Sequence, residues 1–160
     1  MAKINIGIIG VGGYGATHLK SIEHFEKAGL CHLRAAVIRH KGQVFIAQRP
    51  EEGLLGGMWE FPGGKTKIGE TLDACLMREI CEELGVDIEV GAPFGIYEHA
   101  FTHFRITLHA FECLLTGGTP VPHEHKDLRW VKPAELQDFP MGKIDRQIAK
   151  RLTARNLFKK

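Results

Sequence analysis

The sequence lacks the features of membrane proteins, disulfide-bonded scaffolds and strongly charged proteins. Its Ile4–Gly15 stretch is too short and too rich in glycine to cross a bilayer, and no signal peptide is visible. Only four cysteines occur, none in C-x-x-C spacing, which indicates reduced thiols in a cytoplasmic protein. An excess of one charge is also missing, because 21 basic residues face 19 acidic ones. The net charge of +2 argues against direct nucleic-acid binding and leaves room for a local pocket that holds a small anion.

What the sequence does contain is the apolar content and periodicity of one α/β domain. Of its 160 residues, 44% are hydrophobic and 25% are charged, as in an ordinary globular protein with one core. Beyond about residue 33, β-rich segments are interrupted by two helical patterns. The predicted strands are Arg34–Arg39, Gln43–Gln48 and Leu128–Val131, and Val86–Val90 and Ile96–Cys113 are β-rich. The predicted helices are Thr71–Leu84 and Ile144–Leu157.

Three glutamates crowd one side of the first predicted helix. The i, i+3, i+4 spacing of Glu79, Glu82 and Glu83 places them within an arc of roughly 100°. Like charges this close repel each other, and Arg78 is the only base in the helix. Their arc borders the apolar stripe of the helix, which consists of Leu72, Leu76, Ile80 and Leu84. A hard divalent cation would neutralise the cluster; the helix alone leaves open the alternative of an acidic face in solvent.

The spacing around this helix resembles the motif of a known family. Gly64 is followed after five residues by Glu70, and after seven more by the run from Arg78 to Val86, Arg-Glu-Ile-Cys-Glu-Glu-Leu-Gly-Val. This matches the Nudix box, G-x5-E-x7-R-E-U-x-E-E-x-G-U with U apolar, at every defining position. Average residue frequencies give a chance match about once in 10⁹ starting positions. The residues that we expect to be structural within the motif are Gly64 for a tight turn, Glu70 as a brace of the loop, Arg78 as a partner of carboxylates and Gly85 as a C-cap.

The resemblance covers roughly residues 33–152 and implies both a fold and a reaction. Members of this family have an α/β/α sandwich with a mixed β-sheet, and they hydrolyse nucleoside diphosphates linked to another group. The catalytic residues that it implies by position are Glu79, Glu82 and Glu83, which would bind Mg²⁺, with Mn²⁺ as a substitute, while one of them helps to activate water. The Gly63 carbonyl would be a further ligand. Alignment of Trp130 with a tryptophan of the family adds Glu124, for which an exposed loop acid is the alternative.

Within the family, the chain looks closest to MutT-type enzymes. Residues 54–65 resemble the segment before their box, and Gln48-Arg49-Pro50 resembles a strand end whose arginine contacts phosphate. The substrate-binding residues implied in this way are Arg49, Glu60, Phe61 and Lys65. Asp145 comes shortly after a segment, Phe139-Pro140-Met141, that resembles the one preceding the base-recognising residue. Its carboxyl group can accept hydrogen bonds, or donate one if protonated, and capping of the last helix is its alternative role.

These resemblances favour hydrolysis of 8-oxo-dGTP, a small-molecule nucleotide, to the monophosphate and pyrophosphate. CTP or a modified pyrimidine triphosphate is the alternative substrate. A function of another class is suggested by residues 97–104, which resemble the noncatalytic domain of the adenine glycosylase MutY that recognises 8-oxoguanine. The complete box argues for catalysis instead. His123 and His125 flank Glu124 in the manner of a zinc site, but a fourth ligand is missing.

The first 32 residues follow a different pattern. Ile4–Ile9 predicts a strand, residues 10–15 match G-x-G-x-x-G, and Ala16–Ala28 predicts a helix, as at the start of the Gfo/Idh/MocA dehydrogenases that this segment resembles. One βα unit cannot form the crevice that holds a dinucleotide. We therefore expect a Rossmann-like βα extension, residues 1–32, joined to a Nudix domain, residues 33–157. Its strand would pair with an edge of the sheet or with a second copy in a homodimer.

Overall fold

The computed structural model describes residues 30–53, 55–67, 69–100 and 105–157. The strand predicted at Ile4–Ile9, the glycine cluster and the helix predicted at Ala16–Ala28 lie outside the described residues, as do residues 101–104 of the MutY-like segment. The boundary between an N-terminal extension and the Nudix domain stays a prediction. The first strand of the described part begins at Leu30.

Six strands and three helical segments follow one another along the described chain. In order they are β1 (Leu30–His40), β2 (Gln43–Gln48), β3 (Trp59–Glu60), α1 (Leu72–Leu84), β4 (Asp87–Ala100), β5 (Arg105–Gly117), β6 (Asp127–Val131), a 3-10 helix (Pro133–Asp138) and α2 (Lys143–Leu157). The predicted β2 has the bounds expected from its pattern. The predicted α1 begins one residue later than its pattern, because Thr71 is its N-cap and its hydroxyl accepts a hydrogen bond from the Ala74 amide at 3.3 Å.

The strands form one mixed sheet with the order β3-β2-β1-β5-β4, and β6 pairs with β2. β1 runs parallel to β5, with Arg34 opposite His109, while the other pairs of strands are antiparallel. The Lys41-Gly42 turn between β1 and β2 has positive φ at both residues, as a two-residue hairpin requires. A mixed sheet is what the family resemblance implied.

β4 is longer than the sequence pattern indicated. Two β-rich segments, Val86–Val90 and Ile96–Cys113, were expected on either side of residues 91–95, but β4 continues through this gap to Ala100, with irregular register at Val90, Pro93 and Gly95. Residues 105–113 of the second segment belong to β5. β4 is an edge strand, where a proline without an N–H can be accommodated at a bulge. Pairing with β5 thus overrides the local interruption by glycine and proline.

Alternate residues of β1 pack against different helices. Ala36 and Ile38 belong to the cluster that includes Leu76, Ile80 and Leu84 of α1. Ala35 and Val37 belong to the cluster that includes Ile148 and Leu152 of α2. The sheet is therefore covered by one helix on each face, which is the α/β/α sandwich expected from the resemblance. None of the helices in the described ranges is long and apolar enough to span a membrane.

Candidate active site

The loop before α1 is held tightly against β1 by its backbone. The Arg34 amide donates to the Gly64 carbonyl and the Ala36 amide donates to the Pro62 carbonyl, both at 2.8 Å. A Cβ atom on Gly63 would lie 2.1 Å from the Arg34 carbonyl oxygen. A Cβ on Gly64 would lie 2.3 Å from the carboxyl carbon of Glu79. The two glycines therefore let the loop backbone approach both the sheet and the first glutamate of the helix.

Arg78 connects this loop to three carboxylates. Its guanidinium donates to both oxygens of Glu70, at 2.7 and 3.0 Å, and also to Glu79 at 2.7 Å and Glu82 at 3.1 Å. It also donates to the Lys65 carbonyl at 3.2 Å. The hydrogen bonds from Arg78 lower the pKa of Glu70, and the same contacts raise the pKa of Arg78. Glu70 also accepts from the Lys67 amide, so Arg78 and Glu70 together fix the loop on α1.

Two of the three box glutamates are withdrawn from water. Burial raises the pKa of Glu79 despite its contact with Arg78. Glu83 is only 6% exposed, and its Oε2 atom has no hydrogen-bond partner among the described residues. Burial, followed by the charges of Glu60, Glu79 and Glu124, raises the pKa of Glu83 well above its usual value. Ionising these carboxyl groups together is unfavourable, and a bound cation would favour their ionised forms.

The oxygen ligands available at this site suit a hard divalent cation, although they do not converge on one point. The available ligands are carboxylate and carbonyl oxygens, which Mg²⁺ and Mn²⁺ prefer. In the part of the chain that the structure describes, no three His, Cys, Asp or Glu side chains converge as a ready metal site. Glu79 and Glu82 each turn a carboxylate oxygen towards Arg78. The unpartnered oxygen of buried Glu83 is one that a bound cation would satisfy.

The loop that carries Glu124 lies across the end of α1. The Val121 amide donates to the Leu84 carbonyl at 2.9 Å, and the His123 amide donates to the Glu83 carbonyl at 3.1 Å. The His123 ring contacts the Glu82 carbonyl through Nδ1 at 3.2 Å and packs against Gly85, whose left-handed conformation ends the helix. These contacts bring Glu124 within electrostatic range of Glu83.

Arg49 and Glu60 form a pair at the end of β2 and β3. Arg49 Nη1 donates to Glu60 Oε2 at 2.5 Å, and His125 Nε2 lies 3.2 Å from Glu60 Oε1. The charge of Glu60 acts on Glu83 as well as on Asp145, so this pair lies between the carboxylates of α1 and the start of α2. Sequence reasoning missed the role of His125, because no spacing rule relates it to a residue 65 positions earlier.

Asp145 reaches the same region from α2. Its Oδ1 atom accepts a hydrogen bond from the Phe61 amide at 3.0 Å. Burial, reinforced by the charge of Glu60, raises the pKa of Asp145 to about 7. The structure thus brings Asp145, Phe61, Glu60 and Arg49 together. Lys65 lies in the loop before α1, where its backbone forms a bridge with Leu33 and its carbonyl accepts from Arg78.

Comparison with known proteins identifies the family. The chain matches the model of the NUDIX domain over residues 34–151. The protein is a member of the Nudix family. It is 36% identical over 111 residues to the CTP pyrophosphohydrolase of Escherichia coli, an alignment that covers 69% of this chain and 82% of that one. It is 42% identical over 106 residues to the putative 8-oxo-dGTP diphosphatase 2 of Mycobacterium tuberculosis, covering 64% of this chain and 74% of that one.

The solved structures agree with this membership. The solution structure of the E. coli ORF135 protein matches with a TM-score of 0.69 and 32% identity, over 78% of this chain and 89% of that one. The expected Nudix fold is confirmed, and the protein is a Nudix hydrolase with pyrophosphohydrolase-type activity. Enzymes of this family act on small nucleotide substrates and generally use divalent metal ions.

Proposed function

We propose that this Nudix hydrolase converts a nucleoside triphosphate to the monophosphate and pyrophosphate in a Mg²⁺-dependent reaction. The observation that carries the proposal is the Glu83 carboxylate, buried beside the charges of Glu60, Glu79 and Glu124 with one oxygen unpartnered among the described residues. Buried like charges destabilise a protein unless a cation neutralises them. Mg²⁺ typically combines a few carboxylates with the phosphates of a substrate, which matches both this cluster and a nucleotide.

The proposed ligands are Glu79, Glu82 and Glu83, the Gly63 carbonyl and Glu124. To bind the cation, the carboxylate oxygens of Glu79 and Glu82 that now accept from Arg78 would have to release this hydrogen bond. Arg78 would keep its two bonds with Glu70, so the loop would stay attached to α1. When bound, the cation supplies charge stabilisation on the phosphates and activation of water. One carboxylate of the three glutamates then accepts the proton that the attacking water loses.

Arg49 and Lys65 are proposed to complement the negative charge of the phosphates. Phe61 and Asp145 are proposed to receive the base, since their hydrogen bond joins the loop to α2 next to Glu60. One oxygen of Asp145 is already paired with the Phe61 amide, and the other can face a base edge. A carboxyl group whose pKa is about 7 can present either an acceptor or a donor there at neutral pH.

The favoured substrate is 8-oxo-dGTP, and the 42% identity to a protein named as a putative 8-oxo-dGTP diphosphatase supports it. CTP or a modified pyrimidine triphosphate is the second candidate, because the chain is 36% identical to a CTP pyrophosphohydrolase over a slightly longer alignment. A noncatalytic base-recognition role would not require the buried carboxylate cluster. The complete set of glutamates therefore favours an enzyme over a binding module.

The decisive experiment measures pyrophosphate release from 8-oxo-dGTP, dGTP, CTP and a modified pyrimidine triphosphate in the presence of Mg²⁺. Hydrolysis in ¹⁸O-labelled water shows which phosphorus is attacked, because the label enters only the product that contains that phosphorus. We expect Glu82→Gln to lower kcat by at least about 100-fold. Glu89→Gln, an exposed glutamate of β4, is the matched control and should keep the wild-type rate.

The role of Asp145 is tested in the same assay. Asp145→Ala should change the ratio of kcat/KM between bases more than it changes the affinity for pyrophosphate. The proposal as a whole would be wrong if folded protein released pyrophosphate from none of these substrates. An unchanged rate in Glu82→Gln would refute the assignment of that residue alone.

A further inference from the structure

We propose that His125 is a positioning residue of this site, which acts through Glu60 on the orientation of the Arg49 guanidinium. The inference rests on the proposed function, in which Arg49 binds the phosphates of the substrate. His125 does not belong to the Nudix box, and it enters the site from the segment before β6.

Glu60 is held from both sides. Its Oε2 atom accepts from Arg49 at 2.5 Å and its Oε1 atom lies 3.2 Å from His125 Nε2. The side chain of His125 is 5% exposed and that of Arg49 is 11% exposed, so the three groups form a largely buried chain. Hydrogen bonds to charged partners in such surroundings are stronger and better oriented than those at the surface.

The backbone around this chain is equally constrained. Gln48, which precedes Arg49, pairs with Trp59 of β3 and with Asp127 of β6. The amide of Lys126 also donates to the Gln48 carbonyl at 2.8 Å. The sheet therefore sets the positions of the main chain on both sides, and the remaining freedom belongs to the side chains of Arg49, Glu60 and His125.

The chemistry of Glu60 determines which histidine nitrogen carries the proton. A carboxylate only accepts hydrogen bonds, so His125 Nε2 must be the donor. In the neutral ring, Nδ1 is then an acceptor, and it is buried without a partner among the described residues. A buried polar atom without a partner destabilises the protein. The contact between Nε2 and Glu60 is thus the polar interaction that favours a histidine at this buried position.

Glu60 needs such a restraint because of its neighbours. It lies within electrostatic range of the carboxyl groups of Glu83 and Asp145, and its own two oxygens are held by Arg49 and His125. Without His125, the carboxylate would be tied only to Arg49 and could turn away together with it. Fixing the guanidinium before the substrate arrives reduces the entropy lost on binding. This effect should appear in the affinity for phosphates and leave the chemical step unchanged.

The first test compares three substitutions at one position. We expect His125→Ala to weaken the binding of pyrophosphate in the presence of Mg²⁺ by about tenfold, measured by calorimetry, because a hydrogen bond to a charged group is lost. KM for the preferred triphosphate should rise by the same factor, with kcat within about twofold of wild type. His125→Gln, whose amide N–H can replace Nε2–H, should restore much of the affinity, whereas the shorter His125→Asn should not.

A double-mutant cycle shows whether the effect passes through Glu60. In a Glu60→Ala background, His125→Ala should cause little further loss of pyrophosphate affinity, because the group on which it acts is already absent. Additive losses would overturn the proposal. The affinity for Mn²⁺, measured by electron paramagnetic resonance, should be unchanged in His125→Ala. A loss of Mn²⁺ affinity with intact pyrophosphate binding would assign His125 to the Glu124 loop instead and would also overturn it.

Nuclear magnetic resonance tests the contact without any substrate. Long-range ¹H–¹⁵N spectra of the imidazole should show the Nε2–H tautomer of His125 in the wild type and a mixture of tautomers in Glu60→Ala. A Nδ1–H tautomer in the wild type would refute the proposed hydrogen bond. Because this measurement needs neither turnover nor metal, it separates failure of the His125 proposal from failure of the proposed function.

Discussion

Replacing Glu83 by glutamine should separate the stability of the metal-free protein from its response to Mg²⁺. The substitution keeps the size of the side chain and removes one buried ionisable group. In the absence of metal, Glu83 faces the charges of Glu60, Glu79 and Glu124. A residue retained only for packing should lose stability on substitution, whereas a metal ligand should not.

The magnitude follows from the positions on α1. Glu79 and Glu83 are four residues apart, so their Cβ atoms are about 6 Å apart. At an effective dielectric constant of about 20, two full negative charges at that distance repel by about 3 kcal/mol. This is an upper limit, because the raised pKa values of Glu79 and Glu83 favour their protonated forms. Arg78 offsets part of this by its contact with Glu79. We therefore expect metal-free Glu83→Gln to be more stable than the wild type by about 1 kcal/mol, or about 3 °C in Tm for a chain of this size.

Mg²⁺ should stabilise the wild type more than it stabilises Glu83→Gln. A ligand at 100 times its Kd stabilises the folded state by about 2.7 kcal/mol, which corresponds to roughly 8 °C here. If loss of Glu83 weakens binding tenfold, the gain falls to about 1.4 kcal/mol. The Tm shift on adding Mg²⁺ should therefore be about half that of the wild type.

Thermal unfolding followed by circular dichroism, with EDTA or with Mg²⁺, measures both quantities. Glu89→Gln on β4 is again the control, and its Tm should respond to Mg²⁺ as the wild type does. The reasoning fails if Glu83→Gln is destabilised in EDTA while its Mg²⁺-induced shift is unchanged, since Glu83 would then contribute packing and no metal binding.

Two further predictions concern the other charged groups of the site. Arg78→Gln should lower the free energy of unfolding by about 3 kcal/mol in urea titrations, because three carboxylates lose their shared cation; a loss below about 0.5 kcal/mol would mean that these contacts contribute little. Because burial raises the pKa of Asp145 from 3.8 to about 7, the folded state holds this proton more tightly than the unfolded chain, and the resulting stability is lost as the pH rises through 7. Between about pH 5 and about pH 8, the wild type should therefore lose about 2–3 kcal/mol more stability than Asp145→Asn. Equal losses in the two proteins would contradict the assigned pKa.

The local parts of the site could be read from the residues themselves. The helix of the box and its end at Gly85 follow from short-range rules that depend on neighbouring residues only. The same holds for the Lys41-Gly42 turn between β1 and β2. Thr71 was predicted inside the helix of the box, and in the structure it is the N-cap. β4 shows where such rules stop, because glycine and proline interrupt the pattern while pairing with β5 keeps the strand intact.

Contacts between distant parts of the chain were harder to predict from the sequence. The resemblance to MutT-type enzymes pointed to Glu124 and Asp145, but it did not reveal that Asp145 accepts from the Phe61 amide. Arg78 was expected to hold one neighbouring carboxylate, and in the structure it contacts Glu70, Glu79 and Glu82. His125 gave no signal at all beyond its place next to Glu124.

The sequence by itself determined the family, the carboxylate face of α1 and the oxygen-rich chemistry of the site. It could do so because helix geometry fixes the direction of residues three and four positions apart, whatever the rest of the protein does. The tertiary structure alone decided that Glu83 is buried, that the Glu124 loop crosses the end of α1, and that Arg49, Glu60 and His125 form one chain of contacts. These features depend on how the sheet packs against two helices. That packing is the sum of many contacts between residues far apart in the chain, and no fixed residue spacing in the sequence reveals it.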